Sequence, residues 1–218
     1  MPQDLPTSLL EVRRSILSMA ALVESRLSRV VDCMVQQDLP AAEAVRHGDR
    51  EVDQMEVNIE EMCIQVLALQ QPVAKDLRLI LAVLRVNTEL ERIADLAKGI
   101  AKRLLHLDSL GYLALPPIMG QMGEAVCEMM SHVLTAFTEG DADVARQVRR
   151  DDALIDDFQK KILEWTQDEM VRNSAATEAA VDMMTIARAL ERIGDMCTNI
   201  AEEIIFLLEG EVVRHKRV

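Results

Sequence analysis

Four pairs of carboxylates stand out in the sequence because the members of each pair are four residues apart. In an α-helix this spacing places both side chains on one face, where like charges destabilise the helix by about 0.2–0.5 kcal/mol. A nearby cation would offset that repulsion, and carboxylate oxygens are the ligands that hard cations prefer. The first and third pairs are separated by 103 residues, and the second and fourth by 100. The pairs are Asp49 with Asp53, Glu91 with Asp95, Asp152 with Asp156, and Glu191 with Asp195.

This recurrence predicts one metal cluster in each half of the chain. Asp53 and Glu91 each follow a residue of an apolar helical stripe. Each therefore lies about 100° around its helix from that stripe, at the edge of the surface that the stripe buries. Facing helices can share a surface cavity there. Oxygen-only clusters suit Mg²⁺, Ca²⁺, Mn²⁺ or iron better than zinc or copper, which favour nitrogen and sulfur. The expected cofactors are divalent or trivalent metal ions: iron, manganese, magnesium or zinc.

A second interpretation is that the acids lie on solvated faces and pair with arginines. Pairs of this spacing also arise by chance in an acidic chain, so only their recurrence in register is informative. Arg92 and Arg192 adjoin Glu91 and Glu191 in sequence, and such neighbours do not face each other along a helix. The arginines in question are Arg50, Arg92, Arg150 and Arg192.

The carboxylates need helices to position them, and the sequence predicts six. Half of the residues are apolar and only 2% are aromatic, a mixture that favours helices over strands. Ser8 and Glu11 match a capping box at the start of the first helix. Pro40 and Pro72 open the second and third helices, with Gly48 tolerated inside the second.

The helices repeat in register. The third and sixth carry the same apolar stripe, in which Leu90 corresponds to Leu190, and the second and fifth helices agree likewise, which indicates a duplication. We predict an all-α fold of two tandem three-helix bundles related by internal duplication, with spectrin-repeat-like packing. The repeats would span 1–109 and 118–218, joined by a linker at 110–117. A continuous six-helix array would show the same periodicity.

The charge balance narrows the possible partners. The chain has 24 Lys and Arg against 37 Asp and Glu, a formal net charge of −13. Such a surface repels phosphate backbones and anionic lipid, so we expect no nucleic-acid binding. No uncharged run is long enough to span a membrane, and no signal-peptide pattern is present, which together predict a cytoplasmic protein.

The remaining features are expected to be structural. The four cysteines are far apart and form no CxxC motif, so buried, reduced thiols are expected. The basic stretch at 214–217 is expected to be a frayed end. No phosphate-binding loop, nucleophile elbow or His-carboxylate motif occurs, and we expect no enzyme. The alternative is a metal-dependent helical-bundle enzyme, an oxidase or a hydrolase, which would need an open metal position and a substrate pocket.

Three stretches together resemble the PhoU family of phosphate-uptake regulators. The core LERI(A/G)D occurs at 90–95 and 190–195, QQPVAKDLR at 70–78 and GDREVDQME at 48–56. The resemblance covers essentially the whole chain. It implies a non-enzymatic regulator of phosphate uptake and phosphate-starvation signalling, with multinuclear metal clusters bound through E(D)xxxD motifs. The implied ligands are Asp49, Asp53, Glu91 and Asp95 for one cluster, and Asp152, Asp156, Glu191 and Asp195 for the other.

The resemblance also implies partners and shows departures. The implied partners are the ATPase subunit of a phosphate ABC transporter and a phosphate sensor histidine kinase, and a homodimer is expected. In the first half, Ala94 replaces the family's Gly and Gly99 its Asn. The second half has NSAATEAAV at 173–181 where the first has QQPVAKDLR. The two clusters are therefore expected to differ in occupancy, with the first-half site altered.

Overall fold

The computed structural model describes residues 4–47, 50–111 and 115–213. Within these ranges the chain forms α-helices and no strand. A short 3₁₀ turn at Ser174–Ala176 precedes the last helix. The helices are α1 (Leu5–Gln36), α2 (Leu39–His47), α3 (Arg50–Gln70), α4 (Ala74–Ser109), α5 (Pro117–Glu139), α6 (Ala142–Arg172) and α7 (Thr177–Glu209).

The helices form two bundles, the first of α1–α4 and the second of α5–α7, which confirms the all-α prediction of two tandem bundles. In the first bundle α1 packs on α3 and α4, with α2 against α1 and α4; in the second, α5, α6 and α7 all contact one another. Helices α2 and α3 stand where one helix was expected. Gly48 and Asp49 lie outside the described residues, and so does the expected passage of one helix through Gly48.

The predicted capping box is wrong. Helix α1 begins one turn earlier, with Asp4 as its N-cap, and the Asp4 carboxylate accepts a hydrogen bond of 3.3 Å from the Thr7 amide. Pro6 fits the first turn because a proline needs no backbone donor there. Ser8 lies inside the helix, and its hydroxyl accepts a hydrogen bond of 2.9 Å from the Gln70 side chain.

The repeated apolar stripes form the core. Leu90 and Leu190 are 1% and 0% exposed at equivalent positions of α4 and α7, which confirms their predicted correspondence. The cysteines are free: Cys33, Cys63 and Cys197 are buried, and Cys127 is partly buried.

The two bundles pack along two antiparallel helix pairs, α4 with α7 and α1 with α5. The α4–α7 contact, which we call the seam, carries an ion pair near each end: Arg85 with Glu203 and Arg103 with Asp182. At the α1–α5 contact, a Cβ added to Gly123 would lie within 2.8–2.9 Å of side-chain atoms on α1. The glycine therefore permits the close approach of these helices.

Residues 71–73 of the QQPVAKDLR segment form a tight connection between α3 and α4. Gln71 and Ala74 adopt positive φ angles of 48° and 46°, a conformation that costs a non-glycine residue about 1–2 kcal/mol. The segment also delivers Arg78 to the end of α7, where its guanidinium lies 3.3 Å from a Cβ built on Gly210. A cation at a helix C-terminus interacts favourably with the helix dipole. Across the described residues, no helix is long and apolar enough to cross a membrane.

Candidate metal centres

The second half brings its four predicted carboxylates together. Asp152 and Asp156 lie on α6, and Glu191 and Asp195 lie on the adjacent α7. Asp152 and Glu191 are half-buried, whereas Asp156 and Asp195 are exposed. The group therefore lies at the margin of the packed contact between α6 and α7, as the stripe positions predict. We call these four residues the second-half cluster.

Burial and mutual repulsion raise the pKa values of this cluster. For Asp152, burial first and then the charges of Asp195 and Asp156 raise the pKa from 3.8 to about 6. Burial and the other three carboxylates raise the pKa of Glu191. Burial and Asp156 raise the pKa of Asp195, although the nearby Arg192 opposes the shift. A bound cation would relieve the repulsion.

Two residues beside the second-half cluster were not identified from the sequence. The nearby Thr198 hydroxyl favours the charged form of Asp152 and so lowers its pKa against the larger raising effects of burial and neighbouring charge. Gly194 lies opposite, where an added Cβ would be 3.6 Å from Asp152 Oδ1. Both stand in the repeated motif, so aligning the two halves would have drawn attention to them.

The first half is arranged differently in the part that the structure describes. Asp53 on α3 and Asp95 on α4 are exposed and Glu91 is half-buried, while Asp49 lies outside the described residues. The ammonium of Lys98 lies 3.9 Å from the Asp95 carboxylate. Lys98 stands where the second half has Thr198, so the first half carries a cationic side chain beside its predicted ligands.

The alternative of arginine pairing is only partly met. The Arg92 guanidinium lies 3.9 Å from the Glu89 carboxylate. The Arg150 guanidinium donates to the Gln147 side chain at 2.6 and 3.0 Å. Arg192 does act on the second-half cluster, as its effect on Asp195 shows.

The side chains of the second-half cluster are of the type that binds a hard cation, but they are not positioned around a common point. Carboxylate oxygens are suitable ligands for such a cation. After burial, the charges of Asp195 and Asp156 contribute to the raised pKa of Asp152. Among residues 4–47, 50–111 and 115–213, however, no group of three or more Asp, Glu, His or Cys side chains is arranged to hold a metal ion. Exposed side chains such as Asp156 and Asp195 would have to turn inward to bind one.

Comparison with known proteins decides the family. The family model described as the PhoU domain matches the chain twice, over residues 16–104 and 119–204. The chain belongs to the PhoU family. The two matched stretches coincide with the two bundles, so each bundle is one PhoU domain.

Curated PhoU relatives span nearly the whole chain. The phosphate-specific transport system accessory protein PhoU of Serratia marcescens is 36% identical over 204 residues, which cover 94% of this chain and 84% of that protein. The PhoU homolog of Pseudomonas aeruginosa is also 36% identical, over 98% of this chain and 88% of its own length.

A solved PhoU structure has the same fold. The crystal structure of PhoU from Pseudomonas aeruginosa superposes with a TM-score of 0.91 at 34% identity, covering 95% of this chain and 100% of that one. The pairing of two PhoU domains is therefore shared with a crystallographically determined relative.

Proposed function

We propose that this protein is a non-enzymatic accessory protein of phosphate transport that also regulates phosphate-starvation signalling. Two observations carry the proposal. The PhoU domain matches the chain twice, and the curated relatives are named phosphate-specific transport system accessory proteins. An accessory role needs a docking surface rather than a catalytic constellation.

The proposed partners are the ATPase subunit of a phosphate ABC transporter and a phosphate sensor histidine kinase. Their choice rests on the family resemblance. The formal net charge of −13 supports docking to basic partner surfaces, because complementary charge accelerates encounter and suppresses wrong partners. A cytoplasmic location follows from the proposed contact with an ATPase subunit, and a homodimer remains part of the proposal.

The carboxylate clusters are proposed to hold divalent or trivalent metal ions. Asp152, Asp156, Glu191 and Asp195 would hold the second-half ions, and Asp53, Glu91 and Asp95 with Asp49 those of the first half. When bound, such ions would supply positive charge and positions for oxygen ligands from carboxylates or phosphates of a partner. The chain's own contribution is to hold carboxylates at the helix margin while the apolar stripes keep the bundle folded.

A binding experiment tests this proposal. The double variant Asp95→Ala/Asp195→Ala removes one carboxylate from each cluster, and Asp108→Ala/Asp168→Ala removes one exposed carboxylate from each half elsewhere. Both have the same net charge. If metal serves docking, pull-down of the purified ATPase subunit or sensor kinase should weaken for the first variant and persist for the second.

The comparison must be made at matched thermal stability, so that unfolding is not mistaken for lost docking. Equal binding by both variants would show that docking does not depend on the carboxylate clusters. Failure of the unmodified protein to bind either partner would contradict the proposed accessory role.

A further inference from the structure

One end of the seam holds a histidine of the first bundle between two carboxylates of the second. His106 lies in the last turn of α4, Glu178 lies in the first turn of α7, and Asp182 follows four residues later on the same face. His106 Nδ1 lies 2.5 Å from Asp182 Oδ2, and His106 Nε2 lies 3.6 Å from Glu178 Oε1. We call these three residues the histidine site. None of them belongs to the carboxylate clusters.

The buried carboxylate of Asp182 fixes the imidazole. Its side chain is 3% exposed, and its Oδ1 accepts a hydrogen bond of 2.9 Å from Arg103. A carboxylate only accepts hydrogen bonds, so His106 Nδ1 carries the proton that is donated to Oδ2. In the neutral ring Nε2 therefore has the free lone pair. Histidines that bind metals have this arrangement, in which a carboxylate orients the ring and raises the basicity of the other nitrogen.

The separation of Nε2 from Glu178 suits a metal ion between them. At 3.6 Å the two atoms are too far apart for a hydrogen bond, and a lone pair that faces a carboxylate is repelled by it. Zinc binds histidine nitrogen and carboxylate oxygen at about 2.0–2.1 Å, so two such ligands at the tetrahedral angle lie about 3.4 Å apart. The observed separation is close to this value without any movement of the helices.

The site is open to solvent and has negative charge to offer. The side chains of His106 and Glu178 are 41% and 67% exposed, so an ion can enter and water can fill its remaining positions. Arg103 offsets the charge of Asp182, which leaves the charge of Glu178 for the cation. A nitrogen ligand favours zinc, unlike the oxygen-only clusters. With two protein ligands, binding should be weaker than at a closed structural zinc site.

The internal repeat does not require this site. At the other end of the seam, the positions 100 residues away hold Phe206 for His106, Arg78 for Glu178, and Ala82 for Asp182. The two bundles therefore pack at that end without a histidine or either carboxylate. The histidine site is an addition to the duplicated fold rather than a consequence of it.

We propose that His106 and Glu178 bind a zinc ion across the contact between α4 and α7, with Asp182 as the residue that positions the imidazole. The ion would join the two bundles, because α4 belongs to the first and α7 to the second. This inference uses neither the carboxylate clusters nor the proposed transport function.

Protection of His106 from diethyl pyrocarbonate tests the site. This reagent acylates an imidazole nitrogen that carries no proton, and mass spectrometry of the digest measures the rate at each histidine. In chelator-treated full-length protein at pH 7.5, added Zn²⁺ should slow the acylation of His106 about tenfold at ten times its dissociation constant. His132, with a side chain 38% exposed, is the internal control and should react at a nearly unchanged rate.

Three variants locate the bound ion. Glu178→Gln removes the charge of one ligand and should raise the zinc concentration for half-protection about tenfold or more, since even indirect partners of a metal site contribute that much. Glu164→Gln is the matched control, because Glu164 is an exposed glutamate on α6, and it should leave that concentration unchanged. Asp95→Ala/Asp195→Ala should also leave it unchanged.

The inference is overturned if Zn²⁺ leaves the acylation rate of His106 unchanged, or slows His106 and His132 equally, which would indicate non-specific binding. An unchanged concentration for half-protection in Glu178→Gln would equally overturn it. Loss of protection in Asp95→Ala/Asp195→Ala would assign the ion to the carboxylate clusters and contradict a separate site.

Discussion

The guanidinium of Arg103 in α4 lies 2.9 Å from the carboxylate of Asp182 in α7, and that carboxylate is only 3% exposed. Arg85 and Glu203 repeat this relationship towards the other end of the seam, at the same distance and the same carboxylate exposure. In both pairs the arginine belongs to α4 and the carboxylate to α7. Pairing α4 with α4, or α7 with α7, would bring like charges together, so these residues favour the pairing seen within one chain.

Arg103→Gln should destabilise the protein by about 2 kcal/mol, because Asp182 would stay buried without its guanidinium partner. Urea denaturation at pH 7.5 measures this. Arg172→Gln provides the control: Arg172 forms an exposed pair with Asp168 at 3.6 Å, and its loss should cost less than about 0.5 kcal/mol. Equal effects of the two substitutions would show that the seam ion pair does not stabilise the contact between halves.

The pKa of Asp152, raised to about 6 by burial and by its neighbours, predicts a pH-dependent stability of metal-free protein. Between about pH 4 and pH 6 the folded state retains a proton that the unfolded state has released, so stability falls as pH rises through this window. Above about pH 6 the folded state has also released this proton, and the loss of stability reaches its full size. Two pKa units correspond to about 2.7 kcal/mol, which solvent screening of this half-buried group reduces to about 1 kcal/mol.

Asp152→Asn removes this penalty. In chelator-treated protein it should raise the free energy of unfolding by about 1 kcal/mol at pH 7.5 and leave it nearly unchanged at pH 4. Asp168→Asn, an exposed carboxylate outside the cluster, should change it by less than about 0.5 kcal/mol at both pH values. A destabilising effect of Asp152→Asn at pH 7.5 would contradict the claim that the ionised Asp152 carboxylate destabilises the cluster.

The same substitution at two helical glycines should have opposite effects. Gly194→Ala places a Cβ in ordinary contact, 3.4 Å from Ile155 Cγ2, and should stabilise the protein by about 0.5–1 kcal/mol through helix propensity. Gly123→Ala places a Cβ 2.9 Å from Val31 Cγ1, so it should destabilise the α1–α5 contact by about 1–2 kcal/mol. Thermal unfolding distinguishes the two, and a gain of stability in Gly123→Ala would mean that the halves pack less tightly than described.

Metal content should differ between the halves. After soaking in iron or manganese, elemental analysis should find bound ions, and Asp195→Ala should lose more of them than Asp95→Ala. The reason is that Lys98 lies 3.9 Å from Asp95, whereas the second half has Thr198 at that position. Lys98→Thr should therefore raise the amount of metal bound by the first half.

Metal removal should leave the helical circular dichroism intact, since the apolar stripes are buried without ions. Protein without bound metal before and after soaking would rule out the clusters as metal centres.

The spacing of apolar residues is sufficient to predict the bundles, because these residues recur wherever a helix face is buried. Leu90 and Leu190 could be matched from spacing alone, and both are buried as expected. The start of α1 was misplaced because two residues, Asp4 and Ser8, could each cap a helix, and only Asp4 has a proline following in the first turn. Pro6 favours Asp4 as the N-cap, because proline is tolerated in the first turn of a helix.

The contact between the halves could not be predicted from the sequence. Arg103 and Asp182 are 79 residues apart, and nothing in either helix pattern indicates that these two side chains meet. Within the candidate centres, the carboxylates were found through their repeat. The repeat of the carboxylates does not indicate Lys98 and Thr198, because these two equivalent positions differ in charge between the halves.

The regulatory role is tested most directly by repression in a bacterium deleted for its own PhoU. With abundant phosphate, a phosphate-starvation reporter should be active in the deletion strain and silent when this protein is produced. Asp108→Ala/Asp168→Ala should silence it as well as the unmodified protein does, and Asp95→Ala/Asp195→Ala should silence it less if metal serves docking. A reporter that stays active, while immunoblotting shows the unmodified protein at the level of the native one, would contradict the proposed function.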